Sequence, residues 1–306
     1  MPRNSVRHAI LIMCHRVTNA FLFSLKQISE SNDTIGFVHV DAKKDLAEFL
    51  ELERYNNVFF LRDRIPIFWG GVSQITATLN SMKYICANYN FEYISLISGD
   101  DFLYKGLQPF NQYLGESKKT EFIGVCSLSG VNDREGARFL YRYNDVFFDR
   151  SNSIKNKFTR VLLRTAFSFG LMENKMSKPF EVMYKGSNWF TITRECVFYI
   201  LNYVHLNSSY LDYFKFSYCC DEVFFQSIVY NSKFKFFTKS YIESNEDDNL
   251  CSLRKIDWFS GPEYPKVFTY TDVLNLSDDE TFVLRKVSES VSPDTLEQLS
   301  SAVVKQ

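Results

Sequence analysis

The strongest constraint on the fold is a rhythm in the first hundred residues, where short apolar runs alternate with segments of helical periodicity. Residues 9–14, 35–40, 58–61 and 93–98 are runs of four to six mostly apolar residues, the length and density of strands buried on both faces. Between them lie residues 18–28, 46–53 and 72–89. The last segment spaces Ile75, Leu79, Met82 and Ile85 three or four apart, along one face of an amphipathic helix. Parallel strands need a crossover, and a helix usually supplies it. The rhythm therefore predicts βαβ units and an α/β fold with a mixed, mostly parallel sheet flanked by helices. Ligands of such sheets gather beyond the carboxyl ends of the strands. His15, Asp41 and the turn Ser98-Gly99-Asp100-Asp101 each end or follow a strand, on that edge.

Residues 127–183 change character, being rich in Arg, Lys and aromatics without strand alternation, and read as a helical insertion. Regular structure resumes with a strand over 187–193 and helices over 194–204 and 221–230. The organisation expected is an α/β half over 1–126, the insertion over 127–183, a second half of the same domain over 184–287, and a polar, fraying tail over 288–306.

Composition narrows the function. Lys and Arg number 35 against 36 Asp and Glu, a net charge of −1, whereas nucleic-acid binding shows a basic excess. With 45% apolar residues the chain is not disordered. Seven cysteines without a C-x-x-C pair fit neither a zinc ribbon nor a disulfide framework and suit a reducing compartment. The apolar run near the amino terminus is far short of the ~20 residues of a spanning helix. A cytoplasmic protein is expected, with peripheral contact at the inner face of the membrane compatible with that. G-x-G-x-x-G, the P-loop, H-E-x-x-H and G-x-S-x-G are all absent, and the four histidines lack metal-ligand spacing. Carboxylates, aromatics and late cations remain as the chemistry.

Nine segments, in order, resemble the core-2/I-branching glycosyltransferases, the family that includes β-1,6-N-acetylglucosaminyltransferases and peptide xylosyltransferases. They are residues 10–15 (ILIMCH), 38–41 (VHVD), 68–71 (FWGG), 97–102 (ISGDDF), 185–190 (KGSNWF), 221–225 (DEVFF), 254–258 (RKIDW), 265–268 (PKVF) and Arg285-Lys286. The insertion has no counterpart in this match. The resemblance implies a GT-A type fold and inverting transfer from a UDP-sugar without a metal-binding Asp-x-Asp, which this chain lacks; no metal or other cofactor is expected. It implies that Glu222 is the catalytic base. His15, Asp41, Trp69, Ser98 and Asp101 would hold the donor, with Lys266, Arg285 and Lys286 at its diphosphate. Ser187, Asn188 and Trp189 would line the sugar pocket, and Arg254 with Trp258 would face the acceptor. N-acetylglucosamine is the first donor expected and xylose the runner-up. The acceptor is a saccharide, lipid-linked or free, in surface glycan synthesis. The best-known vertebrate members carry Arg where this chain has Lys266, and Tyr where it has Ser260, a departure that speaks against the mammalian acceptor; they also have a membrane anchor, stem and dense cysteines, whose lack here suggests a bacterial enzyme.

Each residue also has an ordinary structural reading. Acidic residues favour helix starts, so Asp221 or Glu222 could cap the helix; Glu222 is favoured for catalysis and Asp221 for capping. Asp41 could open the next helix, Asp100-Asp101 could simply turn the chain, Trp69 could sit in the core, and Arg285-Lys286 could end a helix. Asp100-Asp101 could also recruit magnesium, which often needs only one or two carboxylates. Two rivals from other classes are a non-catalytic nucleotide-sugar binding protein and a glycoside hydrolase, whose two carboxylates would flank the bond.

Overall fold

The computed structural model describes residues 5–117, 119–148, 153–276 and 280–303. Its eight strands are β1 (Ser5–Cys14), β2 (Thr34–Val40), β3 (Val58–Phe60), β4 (Asn90–Ser98), β5 (Asp101–Leu103), β6 (Phe190–Thr193), β7 (Arg254–Ile256) and β8 (Val283–Arg285). The main sheet runs β3-β2-β1-β4-β6, parallel except for β6, which lies antiparallel to β4. This is the mixed, mostly parallel α/β sheet that the alternating runs predict. Register brings the strand ends level: Met13 pairs with both His39 and Ser98.

Side chains of successive strand residues point to opposite faces, and here both faces are covered. Ala9 and Leu11 of β1 join a core with Ile75, Leu79 and Met82 of the helix Val72–Asn88 and Phe224 of the helix Asp221–Tyr230. Ile10 and Ile12 join the opposite core with Phe21 and Leu25 of the helix Asn19–Glu30 and Phe110 of the helix Leu107–Glu116. Two-sided burial is why the strands read as unbroken apolar runs.

Four local features differ from the sequence expectation. Residues 288–303 do not fray: Val291, Leu296 and Leu299 are buried, the helix Pro293–Val303 packs on the helix Asn19–Glu30, and Lys26 pairs with Glu297 at 2.7 Å. Two apolar residues three apart suffice to dock a short helix, and the surrounding Ser, Glu and Gln hid them. Residues 46–54 form a 3-10 rather than an α-helix. The strand expected over 187–193 is only Phe190–Thr193, because Ser187 and Asn188 turn toward another helix. A second sheet, β5-β8-β7, leaves no signal in the sequence, because three-residue strands are too short to show a period.

Within 127–183 the described helices are Asp133–Leu140, Asp145–Phe148 and Ile154–Ser168. They are bound together by an aromatic cluster in which Phe167 meets Tyr141, Tyr143 and Phe147. Among the described residues, no helix is long and apolar enough to cross a membrane.

Candidate functional site

Three strand ends build one side of the site. The amide of Asp41 donates to the carbonyl of Cys14 at 2.8 Å and that of Gly99 to Met13 at 3.0 Å, locking the exits of β1, β2 and β4 together. His15 is exposed here. Its imidazole is held below the usual histidine range first by partial desolvation, with Arg16 and Lys44 adding to it against Asp100 and Asp41. Asp41 is nearly buried. Its Oδ1 accepts the amides of Lys43 and Ile67 at 3.0 and 3.1 Å, and the Lys43 ammonium lies 3.5 Å from Oδ2. Asp41 therefore ties the loop after β2 to the segment that carries Trp69.

Trp69 is not a core residue. Its ring is half exposed and stands edge-on to Tyr218, with centroids 5.8 Å apart. Gly70 follows at φ +71°, and an added Cβ would meet Cys219 Sγ at 3.2 Å. The Gly70 carbonyl accepts from the Cys219 amide at 2.7 Å. The left-handed backbone and the close approach both favour glycine.

That approach brings in the helix Asp221–Tyr230. Glu222, in its first turn, keeps 31% of its side chain exposed. Its Oε2 accepts from Arg138 and lies 3.7 Å from Lys185 Nζ, which in turn is 3.6 Å from Glu135. Burial opposes the charge on both cations, but the charge of Glu222 and their other neighbours together raise both pKa values. Neither cation was assigned a role from the sequence. Lys185 opened a matched motif, but Arg138 stands 84 residues from Glu222 in a segment with no family counterpart.

Asp221 is buried, and it does not cap the helix. The N-cap is Cys220, and the Asp221 carboxylate turns to Asn188, whose Nδ2 donates at 2.9 Å. Its Oδ1 has no hydrogen-bond partner among the described residues. Burial first, and then the charge of Glu222, push its pKa up to about 7. Ser187 accepts from Gln226 through its carbonyl, so Ser187 and Asn188 both brace the helix that carries Glu222.

The expectations for Ser98, Asp101 and Arg254 need correcting. Asp101 is 0% exposed and Arg254 is 1% exposed. Asp101 accepts from Ser98 N and Oγ at 2.9 and 3.1 Å, from Arg254 Nη1 at 2.9 Å and from Arg285 Nη1 at 2.7 Å. A carboxylate offers about four acceptor directions, and these four bonds fill them. Arg254 donates also to the Leu96 carbonyl at 2.5 Å, and burial lowers its pKa to about 10. The nearly buried Trp189 covers the cluster, its ring centroid 5.3 Å from the Arg254 guanidinium and 4.7 Å from that of Arg285. Asp101 thus has no oxygen left for a donor sugar or a cation, Ser98 is buried in the same network, and Arg254 faces inward rather than toward an acceptor. The pairing spans 153 residues and left no local signal.

Arg285 is partly exposed and passes the network outward to Lys286, which is half-buried and has no ion-pair partner among the described residues. Lys266 is different. Its ammonium donates to Asp272 at 2.7 Å, and that bond, with those from Thr269, lowers the Asp272 pKa to about 2. The bond to Asp272 uses one of the three donors of the ammonium and holds Lys266 in place. Trp258 is half exposed. Beside it Asp257 accepts from the hydroxyl of Ser260 and from the amides of Phe259 and Ser260, so Ser260 serves to close a turn. Among the described residues no group of three His, Cys, Asp or Glu could hold a metal ion.

The strand ends, the Trp69 loop, Glu222, Asn188, Trp189 and Arg285 thus form a chain of direct contacts and sequence neighbours around one edge of the sheet. A family model described as Core-2/I-Branching enzyme matches residues 9–278. Xylosyltransferase 2 of Rattus norvegicus is 23% identical over 317 residues, covering 96% of this chain and 33% of the relative. Xylosyltransferase oxt of Drosophila melanogaster is 23% identical over 217 residues, covering 68% and 22%. Xylosyltransferase 1 of Homo sapiens is 22% identical over 239 residues, covering 76% and 23%. The chain thus spans a third or less of the length of these relatives.

Proposed function

The chain belongs to the core-2/I-branching enzyme family, a family of glycosyltransferases, and on that premise we propose that it is an inverting GT-A type enzyme that moves a sugar from a UDP-sugar to a hydroxyl of a saccharide acceptor. The observation that carries this reading is Glu222: a partly exposed carboxylate at a helix start, oriented through one oxygen by Arg138 and Lys185, on the ligand edge of the sheet. Its Oε1 has no partner among the described residues and serves as the general base. Direct displacement at an anomeric carbon needs a carboxylate opposite the leaving group to take the acceptor's proton as the new bond forms. Negative charge then grows on the departing diphosphate. Lys286, beside the anchored Arg285, supplies the compensating charge, and no divalent metal takes part. Support for the metal-free reading is the carboxylate of Asp101, whose oxygens are taken by Ser98, Arg254 and Arg285.

N-acetylglucosamine is the donor assigned on the motif match. Xylose is the second reading, favoured by the names of the relatives. A panel of UDP-sugars, read by thermal shift and then by transfer, separates the two. Glu222→Gln tests the chemistry: turnover should fall by roughly 10² to 10⁴, typical of general-base loss, while UDP binding holds. Near-normal turnover in that variant would overturn the assignment.

A further inference from the structure

An extended run of exposed apolar residues outside the site lies in the insertion. Along the helix Ile154–Ser168, Ile154, Phe158, Val161 and Leu162 recur at the spacing of one helical face, and all four are exposed, Ile154 to 85% and Phe158 to 65%. The opposite side of the helix holds it to the protein. Phe167 joins the aromatic cluster, and the Arg160 guanidinium donates to the Val146 carbonyl at 3.0 Å. Beyond the helix the apolar surface continues through Phe169, Leu171, Met172 and Met176. A helix that turns its apolar face to water has an unmet partner.

The rim of this face indicates which partner. Residues 153–178 contain six Lys or Arg and one Glu, a net charge of +5 within a chain of net charge −1. Lys157, Lys175 and Lys178 are exposed around the apolar surface. A second copy of the chain fits badly, because a two-fold contact would set the same positive groups against each other. An anionic lipid surface meets both needs: the apolar face enters the acyl boundary while the ammonium groups remain among the headgroups. We propose that this helix and the segment after it are an interfacial membrane-docking element, lying on an anionic bilayer rather than spanning it.

The placement has a consequence for the site. The aromatic cluster under the helix leads through Tyr143 to Tyr218, and through Tyr218 to Trp69. Arg138, from the same insertion, holds Glu222. Docking would therefore seat the bilayer on the element that contacts Trp69 and Glu222, where, on the proposed function, a lipid-linked saccharide would arrive.

The test is flotation of the full chain with vesicles of equimolar phosphatidylglycerol and phosphatidylcholine, against vesicles of phosphatidylcholine alone. Binding should be at least tenfold stronger to the anionic vesicles and weaken as salt is raised. The double variant Phe158→Glu, Leu162→Glu and the triple variant Lys157→Glu, Lys175→Glu, Lys178→Glu should each lose binding by tenfold or more. Both should keep the wild-type melting temperature, since every substituted side chain is exposed, and keep turnover on a short water-soluble acceptor. That last reading separates failed docking from a failed assignment of the site. Equal binding to both vesicle types, or no binding, would overturn the proposal. So would a wild-type dimer in sedimentation equilibrium that the Phe158→Glu, Leu162→Glu variant converts to monomer without changing flotation.

Discussion

Asp101→Asn is the perturbation whose size follows most directly from the structure. The substitution preserves shape but removes the single negative charge between two guanidiniums, and it puts an amide donor where one of them donates. Asp101 and Arg254 are both essentially without solvent contact, so water cannot compensate. Removing one partner of such a buried pair costs about 3–5 kcal/mol, because the remaining charge is stranded. For 306 residues the unfolding entropy is roughly 0.6 kcal/mol/K, so the melting temperature should fall by about 5–8 °C. Scanning calorimetry on wild type, Asp101→Asn and the double variant Asp101→Asn, Arg254→Met provides the measurement. The double variant should recover at least half of the loss, since it removes the stranded charge as well. A shift of less than about 1 kcal/mol in Asp101→Asn, or no recovery in the double variant, would refute a desolvated ion cluster at this position.

Three further outcomes are expected. Asp221 holds its proton up to about pH 7, whereas the unfolded chain releases it near the ordinary 3.8, so this group's contribution to stability falls as pH rises from about 4 to about 7. The melting temperature of Asp221→Asn relative to wild type should therefore climb across that window and level off above it; parallel curves would show that the carboxyl titrates normally. Trp69→Ala should weaken UDP by roughly threefold to tenfold in calorimetry, the scale of a lost ring contact, and leave stability almost unchanged because the ring is half exposed. Transfer should persist in excess EDTA and fall by about 10²-fold in Lys286→Ala, as when a charge-stabilising donor is removed; activity that collapses in EDTA and returns with manganese would contradict the metal-free reading.

Strand and helix order were legible in the sequence because burial on both sheet faces writes itself locally, as apolar runs in β1, β2 and β4 and as three-to-four spacing in residues 72–88. The positions of His15 and Asp41 followed from that order, since a parallel sheet sends successive strands out at one edge. Glu222 was marked by its motif, and its helix begins where the pattern begins. The contacts of the other charged residues were not legible. Asp101, Arg254 and Arg285 look in sequence like groups that could meet a ligand, yet the β5–β8 pairing sets Asp101 opposite Arg285 and closes the cluster under Trp189. Arg138 was brought to Glu222 from a segment that no local pattern connects to it. The difference is one of range. Periodicity and turn chemistry act between residues a few positions apart and are carried by the chain itself. Whether a charge faces water, a ligand or another charge depends on contacts across 84 to 184 residues, and only the packed structure makes that choice.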